Sequence, residues 1–134
     1  MRPEEKKRQI EMTNSFVGFN RHNQIVAVDV DDGTSVIEVS LSKDSLNPLG
    51  IAHGGLIFSL CDVATGVAAR SGGRNTVSQD ASIYFLRPGV NTTKLTAKGR
   101  VIREGGRSGL AEAEVFSDDG TLIAKASVTV HYLN

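Results

Sequence analysis

Hydrophobic and polar residues along this chain predict several β-strands, some from β-branched runs and some from alternation with a period of two. Residues 25–30 and 36–41 are rich in β-branched side chains, and the Asp31-Asp32-Gly33-Thr34 segment between them suits a tight turn, so we predict a β-hairpin. The last predicted strand, at residues 121–133, alternates cleanly, which predicts one buried and one wetter face. Turn residues separate four further predicted strands, at residues 76–86, 93–103, 108–116 and 121–133.

Residues 54–70 break this alternation, because apolar side chains here occupy almost every direction around a helical wheel. The pattern predicts a helix that is buried on most sides and ends at Ser71-Gly72-Gly73. A narrow stripe of small or polar residues interrupts the apolar surface at helical spacing, namely Gly55, Ser59, Asp62 and Gly66.

The N-terminal residues predict a second helix of a different kind. Residues 3–12 begin with a proline at a suitable first helical position and are highly charged, so we predict a short amphipathic helix that docks through Ile10 and Met12. We assign residues 1–20 to this N-terminal helical segment and residues 1–134 to a single domain. Strands without alternating helices predict an α+β fold, in which an antiparallel sheet curls around the central helix.

Composition narrows the classes of partner. The 134 residues include 15 basic and 15 acidic side chains, so the formal net charge is zero and no overall basic field would hold nucleic acid. Cys61 is the single cysteine, which excludes an intramolecular disulfide and a cysteine-rich zinc site, and we expect no metal. The first twenty residues are charged, and no apolar run approaches the roughly 18 to 20 residues of a membrane helix. We therefore expect a cytoplasmic protein with no membrane or nucleic-acid partner.

The start of the helix predicted at residues 54–70 carries candidate chemistry. Glycines at positions 54 and 55 follow His53, and they would let a ligand approach backbone N–H groups that have no intrahelical acceptor. Such N–H groups suit an oxygen that becomes negative during attack on a carbonyl. Asp62 adds a carboxylate within an apolar helix, where burial without a partner costs several kcal/mol as an order of magnitude. Asp62 therefore has either a structural partner, such as a hydroxyl or backbone group, or a function.

The spacing of these two features predicts a shared site. Gly55 and Asp62 are seven residues apart, or about 10 Å along a helix axis, too far for both to touch one carbonyl carbon. We predict that two copies pack with these helices antiparallel, so that the glycine N–H groups of one copy face Asp62 of the other.

The residues from Asn47 through His53-Gly54-Gly55 to Asp62 resemble the signature of the hotdog-fold acyl-CoA thioesterases, in particular the PaaI-type thioesterases of phenylacetic acid degradation. The similarity continues through residues 85–89 and 105–109. It implies a hotdog fold and hydrolysis of an aryl- or medium-chain acyl-CoA thioester to coenzyme A and a free acid. Coenzyme A would be part of the substrate, with no further cofactor, and the assembly would be a homotetramer of two dimers.

The resemblance also implies roles for single residues. Asp62 matches the catalytic carboxylate, acting either as a base on water or as a nucleophile, and Gly54 or Gly55 matches the oxyanion donor. Asn47 and His53 match groups that orient the thioester and the attacking water.

Ser78 matches a polar residue that assists the carboxylate. A shift of the strand by one or two residues would give this role to Gln79 or Asp80 instead. Simpler structural roles remain open for two other positions, since His53 could merely cap the helix and Asn47 could be a turn residue. Coenzyme A contacts are implied at Arg87, Pro88, Gly106, Arg107 and Ser108, of which the two arginines could instead be solvated charges.

Two other functions fit the same fold. A dehydratase would pair a histidine with a carboxylate at a spacing that His22 and His131, the other two histidines, do not provide. A non-catalytic acyl-CoA sensor would need a DNA-binding or partner domain, which about twenty N-terminal residues would not supply. The identity of the acyl group and the way two dimers would join stay open.

Overall fold

The computed structural model describes residues 1–134 and contains one six-stranded sheet with three α-helices. The strands are β1 (Ile25–Asp31), β2 (Thr34–Ser40), β3 (Thr76–Phe85), β4 (Lys94–Glu104), β5 (Ser108–Phe116) and β6 (Leu122–Tyr132). The helices are α1 (Pro3–Ser15), α2 (Phe19–His22) and α3 (Gly54–Arg70), with a short 3-10 turn at Lys43–Ser45. All neighbouring strands are antiparallel, in the spatial order β1-β2-β4-β5-β6-β3. The predicted α+β architecture is confirmed, whereas α2 and the 3-10 turn were not predicted.

Helix α3 lies against the sheet and contacts all six strands. Its inner side chains, among them Ile57 and Leu60, are buried together with apolar residues of the strands. The helix lies close against β4 at Gly99, where an added Cβ would fall against the backbone carbonyl of Ala64. The Ser35 hydroxyl donates a 2.7 Å hydrogen bond to the same carbonyl. Only a residue without a side chain fits this contact, which fixes the position of α3 over the sheet.

Helix α1 protects the edge of the sheet at β1. The Asn14 side chain donates to the Ala27 carbonyl at 2.9 Å and accepts from the Ala27 N–H at 2.8 Å, as a neighbouring strand would. Ile10 packs against the core as predicted, but Met12 is 58% exposed, so its predicted docking role is wrong. The Met1 side chain packs against the core instead, because α1 approaches β1 with the face that carries Asn14.

The opposite edge of the sheet, β3, has no such cover. Seven of its ten residues are exposed, and the apolar side chains of Val77, Tyr84 and Phe85 are among them. The pairing with β6 is irregular between Ser78, which lies opposite Val130, and Asp80, which indicates a β-bulge at the residue between them. No helix in the structure is long and apolar enough to cross a membrane.

Candidate active site

Helix α3 begins with one free backbone donor. His53 is the N-cap, and its Nδ1 accepts a 2.8 Å hydrogen bond from the Gly55 N–H. The carbonyl of His53 accepts from the N–H groups of Leu56 and Ile57 at 3.0 and 3.1 Å. The Gly54 N–H has no acceptor in the chain. Of the two glycines predicted as oxyanion donors, Gly54 is therefore the one whose N–H is available to a ligand.

The cap also defines the chemistry of His53. Because Nδ1 accepts a hydrogen bond, the neutral imidazole carries its proton on Nε2, where it can donate to a ligand. A Cβ at Gly55 would lie 3.0 Å from Nδ1, so glycine at this position leaves room for the imidazole. The capping role considered for His53 is thus present, and it leaves one nitrogen free for chemistry.

Asn47 shapes the loop that leads into α3. Its Oδ1 accepts from the N–H groups of Leu49 at 2.9 Å and Ile51 at 3.3 Å, and Gly50 has a φ of +79°. Asn47 therefore has the structural role left open in the sequence analysis, that of a turn residue. Its Nδ2 group makes no hydrogen bond within the loop and can still donate to a ligand.

The carboxylate of Asp62 lies about two turns after the start of α3. The Ser78 hydroxyl donates a 2.5 Å hydrogen bond to Oδ1 of Asp62, so Ser78, rather than Gln79 or Asp80, is the residue that contacts the carboxylate. Both side chains line a cavity of about 320 Å³. Asp62 is half-buried at this cavity, so it does not bear the full desolvation cost expected for a buried carboxylate.

Cys61 adjoins Asp62 but faces the core. Its side chain is 1% exposed, and burial, with a smaller contribution from the charge of Asp62, raises its pKa to about 12. A thiol with this pKa is almost entirely protonated near neutral pH, so Cys61 is no nucleophile. Cys61 is therefore a core thiol.

Within one chain the two parts of the site stay apart. Gly54 lies near the ring of Phe85, at the end of β3, whereas Asp62 contacts Ser78, near its beginning. A second cavity of about 230 Å³, separate from that of Asp62, lies beside His53. Eight residues of helix separate Gly54 from Asp62, or about 12 Å along the axis.

The positions predicted to contact coenzyme A also fall into two groups. Arg87 and Pro88 follow the end of β3 and are exposed, whereas Gly106, Arg107 and Ser108 form the turn between β4 and β5. Since Ser108 pairs with His131 beside the beginning of β3, the two groups lie at opposite ends of that strand, about 30 Å apart. One chain does not bring them together.

Two arginines near these sites were missed in the sequence. Arg74 donates to the carbonyls of Gly106 and Gly105, both at 2.8 Å, and stacks 3.7 Å above the ring of Tyr132. Arg74 thereby holds the turn between β4 and β5. No local sequence pattern predicts this contact, because the turn lies about 30 residues away in the chain. Arg70 lines the cavity of Asp62. The sequence could have identified it, because Arg70 lies four residues beyond Gly66 and so continues the stripe on α3.

Comparisons with known proteins agree with this fold. Residues 49–124 match the family model described as Thioesterase superfamily. The acyl-coenzyme A thioesterase PaaI of Escherichia coli K12 is 32% identical over 97 residues, which span 72% of this chain and 69% of the relative. The solved E. coli PaaI structure matches with a TM-score of 0.90 at 25% identity, covering 98% of this chain and 95% of the other. A Streptococcus mutans UA159 structure bound to acetyl CoA matches with a TM-score of 0.78 at 29% identity, covering 82% and 89%.

The residues matched by the family model span the start of α3 and extend past Asp62. The resemblance seen in the sequence and the predicted hotdog fold are thus confirmed. The chain belongs to the thioesterase superfamily and is a PaaI-type thioester hydrolase with the hotdog fold.

Proposed function

We propose that this protein hydrolyses aryl- or medium-chain acyl-CoA thioesters to the free acid and coenzyme A. The observation that carries the proposal is the carboxylate of Asp62, held by Ser78 beside a cavity on the same helix that begins with the free Gly54 N–H. The E. coli relative that is named an acyl-coenzyme A thioesterase and the S. mutans structure bound to acetyl CoA support the coenzyme A thioester as substrate.

Two copies of the chain would complete the site. Edge strand β3 is uncovered, and antiparallel pairing with the same strand of a second copy would place Ser78 of one copy opposite Phe85 of the partner subunit. Because Ser78 contacts Asp62 and Phe85 lies beside Gly54, this pairing would bring Asp62 of each copy toward the Gly54 N–H of the other. Such a dimer would have the shared site predicted from the helix spacing, and two such dimers would form the homotetramer that the resemblance implies.

In the general-base route, Asp62 takes a proton from a water molecule while the water oxygen bonds to the thioester carbonyl carbon. The carbonyl oxygen becomes negative and accepts a hydrogen bond from the Gly54 N–H. The positive end of the helix dipole lies at the same place and stabilises the negative charge further. Collapse of the tetrahedral intermediate breaks the carbon–sulfur bond, and the proton held by Asp62 passes to the leaving thiolate.

In the nucleophilic route, an oxygen of Asp62 bonds to the carbonyl carbon and expels the thiolate, which leaves a mixed anhydride that water then hydrolyses. Both routes return Asp62 as a carboxylate and need the same oxyanion donor. His53 Nε2–H and the Asn47 amide would orient the thioester and the attacking water, because each has a donor that the loop does not use.

Coenzyme A would lie across the dimer. Antiparallel pairing of β3 with its copy would bring the end that carries Arg87 and Pro88 toward the end of the partner subunit that carries its turn between β4 and β5. The guanidinium groups of Arg87 and Arg107 are exposed and suit bidentate contacts to phosphates. Gly106 and Ser108 would add polar backbone and hydroxyl contacts in the same turn.

Release of free thiol from a panel of aryl- and medium-chain acyl-CoA esters tests the proposal. We expect turnover by the wild type and a loss of roughly 10² to 10⁴ in kcat for Asp62→Ala and Asp62→Asn. Unchanged turnover in Asp62→Ala would contradict the role of the carboxylate. Tight binding of every ester without thiol release would instead favour the acyl-CoA sensor.

A further inference from the structure

The cavity beside Asp62 contains a cation that the mechanism does not use. Asp62, Gly66 and Arg70 follow one another at intervals of four residues, so they share one face of α3 and line the same cavity. A Cβ at Gly66 would meet nothing within 4 Å, which leaves the space between the carboxylate and the guanidinium open.

Arg70 has no counter-ion in the chain. None of the salt bridges includes it, and its Nε is buried without a hydrogen-bond partner. Burial lowers the pKa of Arg70, yet a guanidinium stays protonated at any physiological pH. A partly buried permanent cation without a partner is unfavourable unless an anion reaches it from outside the chain.

The other walls of the cavity suit an aliphatic chain with a polar end. Val63, Val67 and Val77 supply apolar surface, and Asn20 and Thr76 add an amide and a hydroxyl. This combination of apolar walls with a few convergent polar groups is typical of small-molecule sites.

We infer that the acyl group of the substrate ends in a carboxylate, which Arg70 binds as a specificity-determining residue. The substrate would be the mono-CoA thioester of an aliphatic dicarboxylic acid. The inference rests on the proposed function, in which the scissile carbonyl lies at Asp62.

The geometry sets the length of such an acyl chain. Asp62 and Arg70 are eight residues apart, or about 12 Å along the helix axis, and the long arginine side chain leans toward the helix N-terminus and shortens this span. A medium-length chain would bridge it with its carbonyl at Asp62. The planar guanidinium would then take the terminal carboxylate through two parallel hydrogen bonds. The same span keeps the terminal carboxylate away from the negative charge of Asp62.

Suberyl-CoA and octanoyl-CoA form a matched pair for the test, since both acyl groups have eight carbons and differ in a terminal carboxylate or methyl group. We expect the wild type to show a kcat/KM for suberyl-CoA that exceeds the octanoyl-CoA value by about tenfold or more. In Arg70→Met the ratio of the two values should fall roughly 10- to 100-fold. Arg70→Lys keeps the charge without the planar fork and should lie between them. Arg8→Met, an exposed arginine on α1, is the control and should keep the wild-type ratio.

An octanoyl-CoA value equal to or above the suberyl-CoA value in the wild type would overturn the inference while the proposed function stands. So would an unchanged ratio in Arg70→Met. Absence of thiol release from every acyl-CoA ester would contradict the proposed function and, with it, the inference.

Size-exclusion chromatography of the variants separates a role in ligand binding from a role in assembly. If Arg70→Met fails to fold or assemble, the Arg70→Lys ratio decides, and a wild-type ratio in that variant overturns the inference.

Discussion

The hydroxyl of Ser78 donates a hydrogen bond to Oδ1 of Asp62 and so connects strand β3 to helix α3 at the candidate active site. The bond occupies one carboxylate oxygen and restrains the side chain, while the other oxygen stays free to meet water or a carbonyl carbon. The Ser78 hydroxyl donates its one proton to Asp62 and makes no other hydrogen bond. We therefore regard it as a positioning residue that acts through Asp62.

Replacement of Ser78 by alanine should lower kcat by roughly 10- to 100-fold, the range expected when a hydrogen bond to a charged group is lost. KM should change little, because the hydroxyl orients Asp62 and does not bind the substrate. Thiol-release kinetics measure both constants. Ser78→Thr keeps the hydroxyl and should retain most of kcat, and equal losses in the two variants would contradict a positioning role.

The contact between Ser78 and Asp62 also marks the limit of what the sequence could predict. Period-2 alternation identified β3, and the stripe on α3 identified Asp62. The irregular pairing between Ser78 and Asp80 shifts the strand by one residue, so alternation alone could not tell which side chain faces the helix. The bulge is a tertiary feature, and it left Gln79 and Asp80 as open alternatives.

The N-terminal helix shows the same limit at another place. Proline at the first position and the charge pattern predicted α1, but they could not identify its docking face. That face is set by the edge of β1, where Asn14 pairs with Ala27, and so Met12 turned out to be exposed. In the same way, Arg87 and Arg107 could not be assigned to opposite ends of β3, because strand order depends on long-range pairing rather than on local pattern.

The turn between β5 and β6 should contribute stability that depends on pH. Hydrogen bonds from the Ser117 hydroxyl and, next, from Thr121 lower the pKa of Asp119 to about 2. The folded protein therefore favours the ionised carboxylate, and this stabilisation is present above the unfolded pKa of about 4 and is lost as the pH falls toward 2. Asp119→Asn should melt at a lower temperature than the wild type at pH 7.

Thermal melts across the acid range check the sign of this effect. The Tm difference between wild type and Asp119→Asn should shrink as the pH falls from about 4 to about 2. Glu11→Gln, at an exposed position on α1, is a control that should follow the wild type throughout. A Tm difference that stays constant down to the lowest pH would rule out titration of Asp119 as the cause.

The role of the Gly54 N–H can be isolated by one substitution. Gly54 is the first residue of α3, where proline is tolerated, and His53 before it has the extended ψ of 136° that proline requires. Gly54→Pro removes the N–H and should lower kcat by roughly 10²- to 10³-fold. Gly54→Ala keeps the N–H, and its Cβ would meet the Phe85 ring at an ordinary 3.5 Å. The alanine variant should therefore keep most of the activity, and equal rates in the two variants would exclude this donor from the reaction.

Mixing of two inactive variants tests whether the site is shared between subunits. In a mixed dimer of Asp62→Ala and Gly54→Pro chains, one site would combine the intact Gly54 of the first chain with the intact Asp62 of the second, while the other site would carry both defects. Random mixing makes half of the dimers mixed, each with one working site of two, so about a quarter of the wild-type activity should return. A mixture of Asp62→Ala with Asp62→Asn should recover nothing, because every site then lacks the carboxylate. If each chain held a complete site of its own, the first mixture would stay as inactive as its parents, since no exchange of subunits could then place an intact carboxylate beside an intact N–H.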